Sequence, residues 1–501
     1  MNGTILKSLL LTFVILFNVY AFNTHIPTVP LLKMHLTLAV AILVLMFIVK
    51  NNMVTLLSLW FLLVLFQKVT WGSVLPMLPR ISPDRIIFIL IVLFFLFEFM
   101  FKGRKIQAFS SIEMTMIAFS MYILFSMIAS GTMIKATGLS FGVYLVAYGF
   151  PFFMFFISKN VIDDENKIKK FFIFLCVIGL YLGLTGIFEY FRLDQLVFPR
   201  KIVQTMGGGL QARSRGPFLQ PAVNGTVIGM IILSTLILLR SECSKWRKNF
   251  YIISLISMIV TLLFTFTRSC WLAFIVAIFT IPIFAPRLRG VFIQSLLGLI
   301  ILILFLSTFV NKNARSFGKE DQFYFENATL IEKLVTRFTA ESSVTGRVDL
   351  LKMGYMVFMD KPFFGHGFGT FGKLVEKYGI SLEASTLDRD ISKIHGIHDT
   401  TVALLVDVGL IGVSMYLFIL FNILNVYRKL YKKLPREGFL GRELMVICIG
   451  TFIVFLINAQ FFDMRLYIFP NTLFFCIAGI MVGFYHRLSG NENKSSGRLT
   501  V

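Results

Sequence analysis

The chain has 501 residues, of which 57% are hydrophobic and 15% are charged, and it includes 57 phenylalanines. This composition supplies far more apolar surface than one soluble core can bury, so it excludes an ordinary soluble domain and predicts a polytopic helical membrane protein. A net charge of +22 raises the question of a nucleic-acid partner, which the distribution of that charge decides.

Apolar runs long enough to cross about 30 Å of hydrocarbon predict an all-α fold of fourteen transmembrane helices, with both termini on the same side. The predicted spans are 5-22, 33-49, 53-69, 85-101, 112-130, 142-158, 171-191, 221-240, 249-267, 269-285, 290-310, 400-427, 441-459 and 466-485. The predicted units are a scaffold of seven spans (1-191), spans with an Arg-bearing outer loop and hairpin (192-310), a large extracytoplasmic loop (311-399), three closing spans (400-487) and a disordered cytoplasmic tail (488-501).

The connections between spans test this topology, because cytoplasmic loops are rich in Lys and Arg. With the N-terminus inside, the inner segments hold half of the 48 Lys and Arg residues. Most of the excess positive charge therefore directs membrane insertion, and no nucleic-acid partner is predicted.

The first span has a second interpretation. Lys7, an apolar run and Val19-Tyr20-Ala21 resemble a signal peptide with a small-residue cleavage site. The residues after it begin outside in either case, so the remaining topology is unchanged.

The outer segment 192-220 departs from the charge rule. It carries five basic residues against one acidic residue, and Arg213 and Arg215 follow three consecutive glycines. Because a guanidinium presents a fixed fork of N–H donors that matches phosphate oxygens, this segment predicts an anion site. Snorkelling or simple solvation of individual arginines is the alternative.

Arg268 lies in the middle of an apolar run of more than thirty residues with basic flanks on both sides. The run must therefore form a hairpin with Arg268 at its outer tip. A cation amid so much apolar sequence usually has a partner or a polar cavity, so we interpret it as functional, with snorkelling to headgroups as the alternative.

The outer loop 311-399 contains twelve basic and twelve acidic residues, so it is no general trap for polyanions. Its GHGFG sequence at 365-369 lacks Walker spacing and does not join a strand to a helix. We interpret it as a tight turn that seats the loop on the membrane, with His366 as a turn residue.

Two histidines, His395 and His398, end this loop three residues apart, immediately before a span. With Asp399 they could form a metal site, but no third ligand cluster accompanies them, and zinc usually needs one. A neutral imidazole acting as general base fits better, with Asp399 or a backbone carbonyl setting its tautomer. No metal or other cofactor is predicted.

Charged residues in the closing spans are few. Asp407 lies within a span and needs a partner, which the sequence does not identify. Asp463 and Arg465 occupy the last outer connection, where an ion pair is the simpler interpretation, although Arg465 could join a phosphate site.

Four segments together resemble the bacterial O-antigen ligase and O-antigen (exopolysaccharide) polymerase superfamily. They are RGPFLQP at 215-221, TRSCWLAF at 267-274, GR followed by DKPFFGHGFGTF within 346-371, and HDTTVALLVDVGLIGVSMYL at 398-417. Their order and spacing carry the resemblance, which covers about the C-terminal half.

The resemblance implies an integral-membrane glycosyltransferase fold of the GT-C-like type. It implies transfer of a glycan from undecaprenyl pyrophosphate to an acceptor hydroxyl, with inversion and without metal or nucleotide, at the outer face of the bacterial cytoplasmic membrane. Carried onto this sequence, it makes His398 the catalytic base and Arg215 or Arg213, together with Arg268, the pyrophosphate ligands. Arg347 matches a loop arginine of the family and is held as a secondary substrate contact; structural pairing with Asp349 or another loop carboxylate is equally consistent.

One departure affects the base. The family usually has Asn after the histidine, whereas this chain has Asp399, which could raise the pKa of His398 by stabilising its protonated form. His395 is therefore an alternative base in the same turn.

The leading functional prediction is a polymerase of lipid-linked repeat units, acting in exopolysaccharide biosynthesis for the cell envelope. A ligase that moves finished glycan to a lipid or cell-wall acceptor shares the same motifs. The bilayer, a lipid-linked donor and a glycan acceptor are the predicted partners, with a flippase and a chain-length regulator beside a polymerase. A lipid-linked-sugar flippase or other transporter, the third possibility, would show internal repeats, and none is evident.

Overall fold

The computed structural model of the chain describes residues 53–70, 82–101, 103–133, 139–204, 213–284, 289–290, 293, 342–371, 374, 399–436 and 438–496. All regular elements in these ranges are helical. The main helices are α1 (Met53–Thr70), α2 (Pro83–Phe101), α3 (Ser111–Ala129), α4 (Leu139–Tyr144), α5 (Phe150–Val161), α6 (Glu165–Tyr190), α7 (Pro221–Ser241), α8 (Lys245–Phe264), α9 (Arg268–Ile278), α10 (Ser342–Asp360), α11 (Thr400–Lys433), α12 (Leu444–Ala459) and α13 (Ile468–Ser496).

The helices lie where the apolar runs predicted membrane spans. Within the part of the chain that the structure describes, eight helices are long and apolar enough to cross a membrane, and two shorter apolar helices accompany them. The protein is therefore a multi-pass membrane protein. The predicted spans 5-22 and 33-49, the possible cleavage site and nearly all of 290-310 lie outside the described residues, so the total of fourteen stays a prediction.

Two boundaries differ from the sequence-based prediction. The predicted span 269-285 is divided into α9 and a short helix, Thr280–Phe284, because Pro282 has no N–H to continue the hydrogen-bond ladder. At the C-terminus α13 continues to Ser496 and takes in residues expected in the disordered tail, since extending a formed helix costs little compared with starting one.

Small residues let neighbouring helices approach closely. A Cβ added at Gly183 of α6 would lie 2.4 Å from Ser257 Oγ of α8, and Thr261 Oγ1 donates to the Gly183 carbonyl. Gly479 of α13 packs equally closely on the carbonyl of Phe155 in α5. The α6–α8 contact fixes the C-terminal ends of both helices beside each other.

Helices α4 and α5 are joined by a π-helical stretch, Leu145–Gly149, a feature often found at functional sites. Tyr148 in this stretch is buried, and its ring centre lies 6.3 Å from that of Phe368. The π-helical stretch therefore packs against the glycine-rich turn that follows α10.

Candidate active site

Arg215 is fixed inside the protein at the end of α6. The Glu189 carboxylate accepts hydrogen bonds from the backbone N–H groups of Arg215, at 3.0 Å, and Gly216, at 2.8 Å. Arg215 Nη2 donates to the carbonyl of Ile202 at 2.8 Å, and Nε lies 3.7 Å from Glu189 Oε1. The arginine is only 3% exposed, and burial lowers the pKa of its guanidinium. Arg215 therefore braces the loop from within.

Arg213 occupies a different position, because its side chain binds the tip of the α8–α9 hairpin. Its Nε donates to the Thr265 carbonyl at 2.9 Å, and its Nη2 donates to the Phe266 carbonyl at 3.2 Å and to Thr267 Oγ1 at 2.7 Å. These carbonyls directly follow the C-terminus of α8, where the helix dipole favours a cation. Arg213 is half-buried, and the residue after Thr267 is Arg268.

Arg268 is the first residue of α9 and is also half-buried. The N-terminus of a helix favours anions, so a guanidinium placed there adds a second source of positive potential. Backbone strain is concentrated nearby: the non-glycine residues with positive φ in the described ranges are Arg192, Leu219 and Phe266. All three belong to connections at this end, and such outliers often accompany functional sites. We call residues 264–268 the hairpin tip.

Arg465 forms a buried cluster with two carboxylates, which we call the carboxylate–arginine cluster (Asp407, Asp463 and Arg465). Arg465 Nε and Nη2 each donate to Asp463 at 2.9 Å, and Nη1 donates to Asp407 Oδ2 at 2.7 Å. All three residues are at most 2% exposed. Burial lowers the pKa of Arg465, but the two carboxylates outweigh burial and leave its pKa raised. The expected Asp463–Arg465 pair is confirmed, and Asp407 has its partner.

Helix α11 is broken at Gly409, two residues after Asp407. Gly409 has φ +64°, outside the helical region, and the glycine-rich turn after α10 fills the break through four backbone hydrogen bonds. These run from His366 N to Val406 O, Gly367 N to Asp407 O, Leu410 N to Pro362 O and Ile411 N to Phe363 O. The segment is a tight turn, as predicted, and it attaches the end of α10 to α11; His366 is a turn residue whose Nε2 contacts the Val357 carbonyl at 2.7 Å.

The start of α11 is held by the connection that carries Arg465. Asp399 caps the helix by accepting from Val402 N at 2.9 Å, and burial raises the pKa of its carboxyl. Thr400 Oγ1 donates to the Phe462 carbonyl and accepts from Met464 N, both at 3.0 Å. The carboxylate of Asp399 is thus engaged in the helix cap.

Further contacts bring these connections to one end of the bundle. Cys270 Sγ donates to Asn458 Oδ1 at 3.3 Å, which joins α9 to α12. The rings of Phe218 and Phe469 lie 5.5 Å apart, which joins the Arg215 loop to α13. The hairpin tip, the Arg213 loop, the Arg465 connection and the start of α11 therefore share this end.

Three predicted residues cannot be placed in the site. His395 and His398 lie outside the described residues, although His398 directly precedes Asp399 in the sequence. Arg347 lies in α10, but its side chain is also outside the described part. Among the described residues no group of three or more His, Cys, Asp or Glu side chains could hold a metal ion.

Two residues at this end were not predicted. Glu189 is a carboxylate at the end of a span, followed closely by an arginine-rich loop, and that adjacency was a usable signal. Lys68 ends α1 with its Nζ 4.1 Å from the centre of the Tyr467 ring. A lysine near the outer end of a span departs from the charge rule, as the 192-220 segment does. Positive charge on the outer side could therefore have identified Lys68 as well.

The fold and these contacts define a multi-pass helical membrane protein with arginines gathered around a strained hairpin at one end. Residues 253–417 match the family model described as O-antigen ligase. This match confirms the resemblance to the O-antigen ligase and polymerase superfamily and indicates a function of that type, with a lipid bilayer and lipid-linked glycans as its setting. The comparison with curated proteins gave no match.

Proposed function

We propose that the protein is a polymerase that transfers glycan from undecaprenyl pyrophosphate to the hydroxyl of an acceptor sugar. The reaction takes place at the outer face of the cytoplasmic membrane, since Lys and Arg concentrate in the connections at the opposite end of the bundle. The observation that carries the proposal is the binding of Arg213 to the hairpin tip that presents Arg268.

In this proposal Arg213 and Arg268 bind the pyrophosphate of the donor. The guanidinium of Arg213 is oriented by two carbonyls and a hydroxyl, while Arg268 begins a helix whose N-terminal amides also favour anions. Preorganised donors stabilise the negative charge that grows on the leaving group as the glycosidic bond breaks. Such an arrangement performs the task that a metal ion performs in other transferases.

The base is His398, with His395 as the alternative. Neutral imidazole removes the proton of the acceptor hydroxyl while its oxygen attacks C1 of the donor sugar from the face opposite the pyrophosphate. The C1–O bond breaks, undecaprenyl pyrophosphate leaves with the electron pair, and the configuration at C1 inverts. General-base assistance of this kind contributes on the order of 10²- to 10⁴-fold.

The other arginines have supporting roles in this scheme. Arg215 holds the loop through Glu189, and Arg465 ties the first section of α11 to the α12–α13 connection. This section of α11 is attached to the α12–α13 connection at two points, by Thr400 near the start of the section and by Asp407 near the end of the section. Asp399, the residue that directly follows His398 in the sequence, therefore has a fixed position at the start of α11. Arg347 is kept as a secondary contact of the large loop.

A ligase is the second candidate, favoured by the description of the matching family. It differs from a polymerase in its acceptor: a second lipid-linked repeat unit for the polymerase, a lipid or cell-wall glycan for the ligase. A transporter is the third candidate, and it performs no covalent step.

The test incubates the purified protein with undecaprenyl-pyrophosphate oligosaccharide and follows the length of the lipid-linked glycans on gels. A parallel reaction adds a candidate lipid acceptor, and a third measures movement of labelled donor across vesicle membranes. Longer lipid-linked glycans support the polymerase, and glycan found only on the added acceptor supports the ligase. Movement of the donor without any new bond would establish a transporter.

The variants Arg268→Ala and His398→Ala test the mechanism in the same assay, with Arg247→Ala as the matched control. Arg247 pairs with Glu242 at 3.1 Å in the connection at the opposite end of the bundle. Full product formation by either site variant would contradict the proposed roles.

A further inference from the structure

A charged cavity lies at the end of the bundle opposite the candidate active site. It has a volume of about 320 Å³ and is bounded by the start of α6, the end of α7 and the connection between α11 and α12. The other ends of these helices carry Glu189, the Arg213 loop, Asp399 and Asn458. The cavity is therefore separated from the hairpin tip by the length of the spans.

Two of the charges in the cavity balance each other. Lys169 Nζ lies 2.5 Å from Glu165 Oε1, one turn earlier on α6, and 4.9 Å from the centre of the Phe439 ring. The lysine is thus held between a carboxylate and an aromatic face. It forms one wall of the cavity without adding net charge.

Among the described residues that line the cavity, the remaining charges are net positive. Arg240, in the last turn of α7, and Arg436, in the α11–α12 connection, both line it. Neither has an ion pair or a side-chain hydrogen bond with any residue that the structure describes. One further carboxylate, that of Glu443, also lines the cavity. Within the described part of this lining, two guanidinium groups therefore accompany one further acid.

This combination suits a phosphate group that carries a neighbouring hydroxyl. Two guanidinium forks can bind the non-bridging phosphate oxygens, and Glu443 can accept a hydrogen bond from a hydroxyl. The volume falls within the range of small-ligand sites. Basic pockets between transmembrane helices on the Lys- and Arg-rich side of a membrane bind anionic headgroups.

We propose that this cavity binds a phosphate group between Arg240 and Arg436, supplied by the headgroup of an anionic phospholipid or by soluble phosphate. The site is independent of the transferase reaction at the other end. Occupancy would link the α11–α12 connection to α6 and α7.

The test measures thermal unfolding of the purified full-length protein in detergent with added phosphatidylglycerol, phosphatidylcholine or inorganic phosphate. We expect a saturable rise of the unfolding midpoint with phosphatidylglycerol and none with phosphatidylcholine. In the double variant Arg240→Gln/Arg436→Gln the half-saturating concentration rises about tenfold or more, since a hydrogen bond to a charged group contributes about 1.5–3 kcal/mol.

The control is Arg247→Gln, because this arginine is 56% exposed and pairs with Glu242 outside the cavity; it keeps the wild-type response. If the double variant does not fold, Arg436→Gln alone, in a connection, gives the same readout. If inorganic phosphate raises the unfolding midpoint at least as much as phosphatidylglycerol does, and if this rise needs the two arginines, the site is assigned to soluble phosphate. Equal responses of the wild type and the variants, or an equal rise with phosphatidylcholine, would overturn the proposal.

Discussion

The hairpin tip and the carboxylate–arginine cluster both place arginines at the same end of the protein, but they use them differently. In the cluster, Arg465 is buried between two carboxylates, so its charge is neutralised within the fold. At the hairpin tip, Arg213 donates to backbone carbonyl and hydroxyl oxygens of the α8–α9 connection, which orient its guanidinium, and its side chain is only half-buried. The comparison shows an arginine enclosed by carboxylates within the fold and an arginine held at the surface of a hairpin, which is where we propose that the donor binds.

The largest effect expected is on the proposed base. His398→Ala should reduce the rate of glycan transfer by about 10²- to 10⁴-fold, while donor binding stays near the wild-type value because the arginines remain. Initial rates at saturating donor measure this loss. His395→Ala provides the comparison: if it causes the greater loss, His395 is the base.

Removing an arginine from the hairpin tip should come next. Arg268→Ala is expected to lower transfer by about 10²- to 10³-fold, the range found when one preorganised donor is removed, with little change in the unfolding midpoint. Arg268→Lys should recover part of the activity, because lysine keeps the positive charge but lacks the fork of N–H donors that a guanidinium presents. If Arg268→Ala unfolded the protein as well as inactivating it, Arg268 would have a structural role, as Arg465 has. The hairpin tip and the carboxylate–arginine cluster would then not differ in function.

The cluster should respond through stability instead. Arg465→Gln leaves two buried carboxylates without their cation and is expected to destabilise the protein by about 3–5 kcal/mol. Asp407→Asn keeps the Asp463–Arg465 pair and should cost less. Unfolding in detergent measures both variants, and an equal loss for the two would show that charge balance does not govern the cluster.

The smallest effect expected is that of Gly438→Ala, which serves as the reference for a substitution at the break in α11. Gly409→Ala combines a positive φ with a Cβ that would lie 2.4 Å from the Phe363 carbonyl oxygen. Gly438→Ala has a positive φ but no atom within 4 Å of the added Cβ, so it isolates the conformational cost of about 1–2 kcal/mol. Gly409→Ala should lower the unfolding midpoint further than Gly438→Ala. Equal shifts would show that the glycine-rich turn moves away from the added Cβ at little cost in free energy.

The sequence predicted the helices well because twenty apolar residues in a row have few other uses. It also placed Arg213 and Arg268 on one face, since the charge rule fixes which connections share a side. Both inferences depend on local composition, and neither requires knowledge of which helices are neighbours.

Pairings between distant segments could not be predicted in this way. Asp407 and Arg465 are 58 residues apart, and hydropathy does not show that their helices meet. The break at Gly409 was missed because LLVDVGLIG is apolar apart from Asp407 and is typical of an unbroken span. Only the inserted turn explains the break. Arg213 and Arg215 have the same sequence signal, but burial beside Glu189 distinguishes the second from the first.

In the proposed mechanism Arg213 and Arg268 together bind the pyrophosphate of the donor. The most direct measurement is the affinity of the purified protein for undecaprenyl pyrophosphate without acceptor, for Arg213→Ala, Arg268→Ala, the double variant and the Arg247→Ala control. We predict that each single variant binds undecaprenyl pyrophosphate about tenfold more weakly or worse. The loss of affinity in the double variant should be smaller than the product of the two single losses, because both arginines bind one ligand. Wild-type affinity in both single variants would contradict the claim.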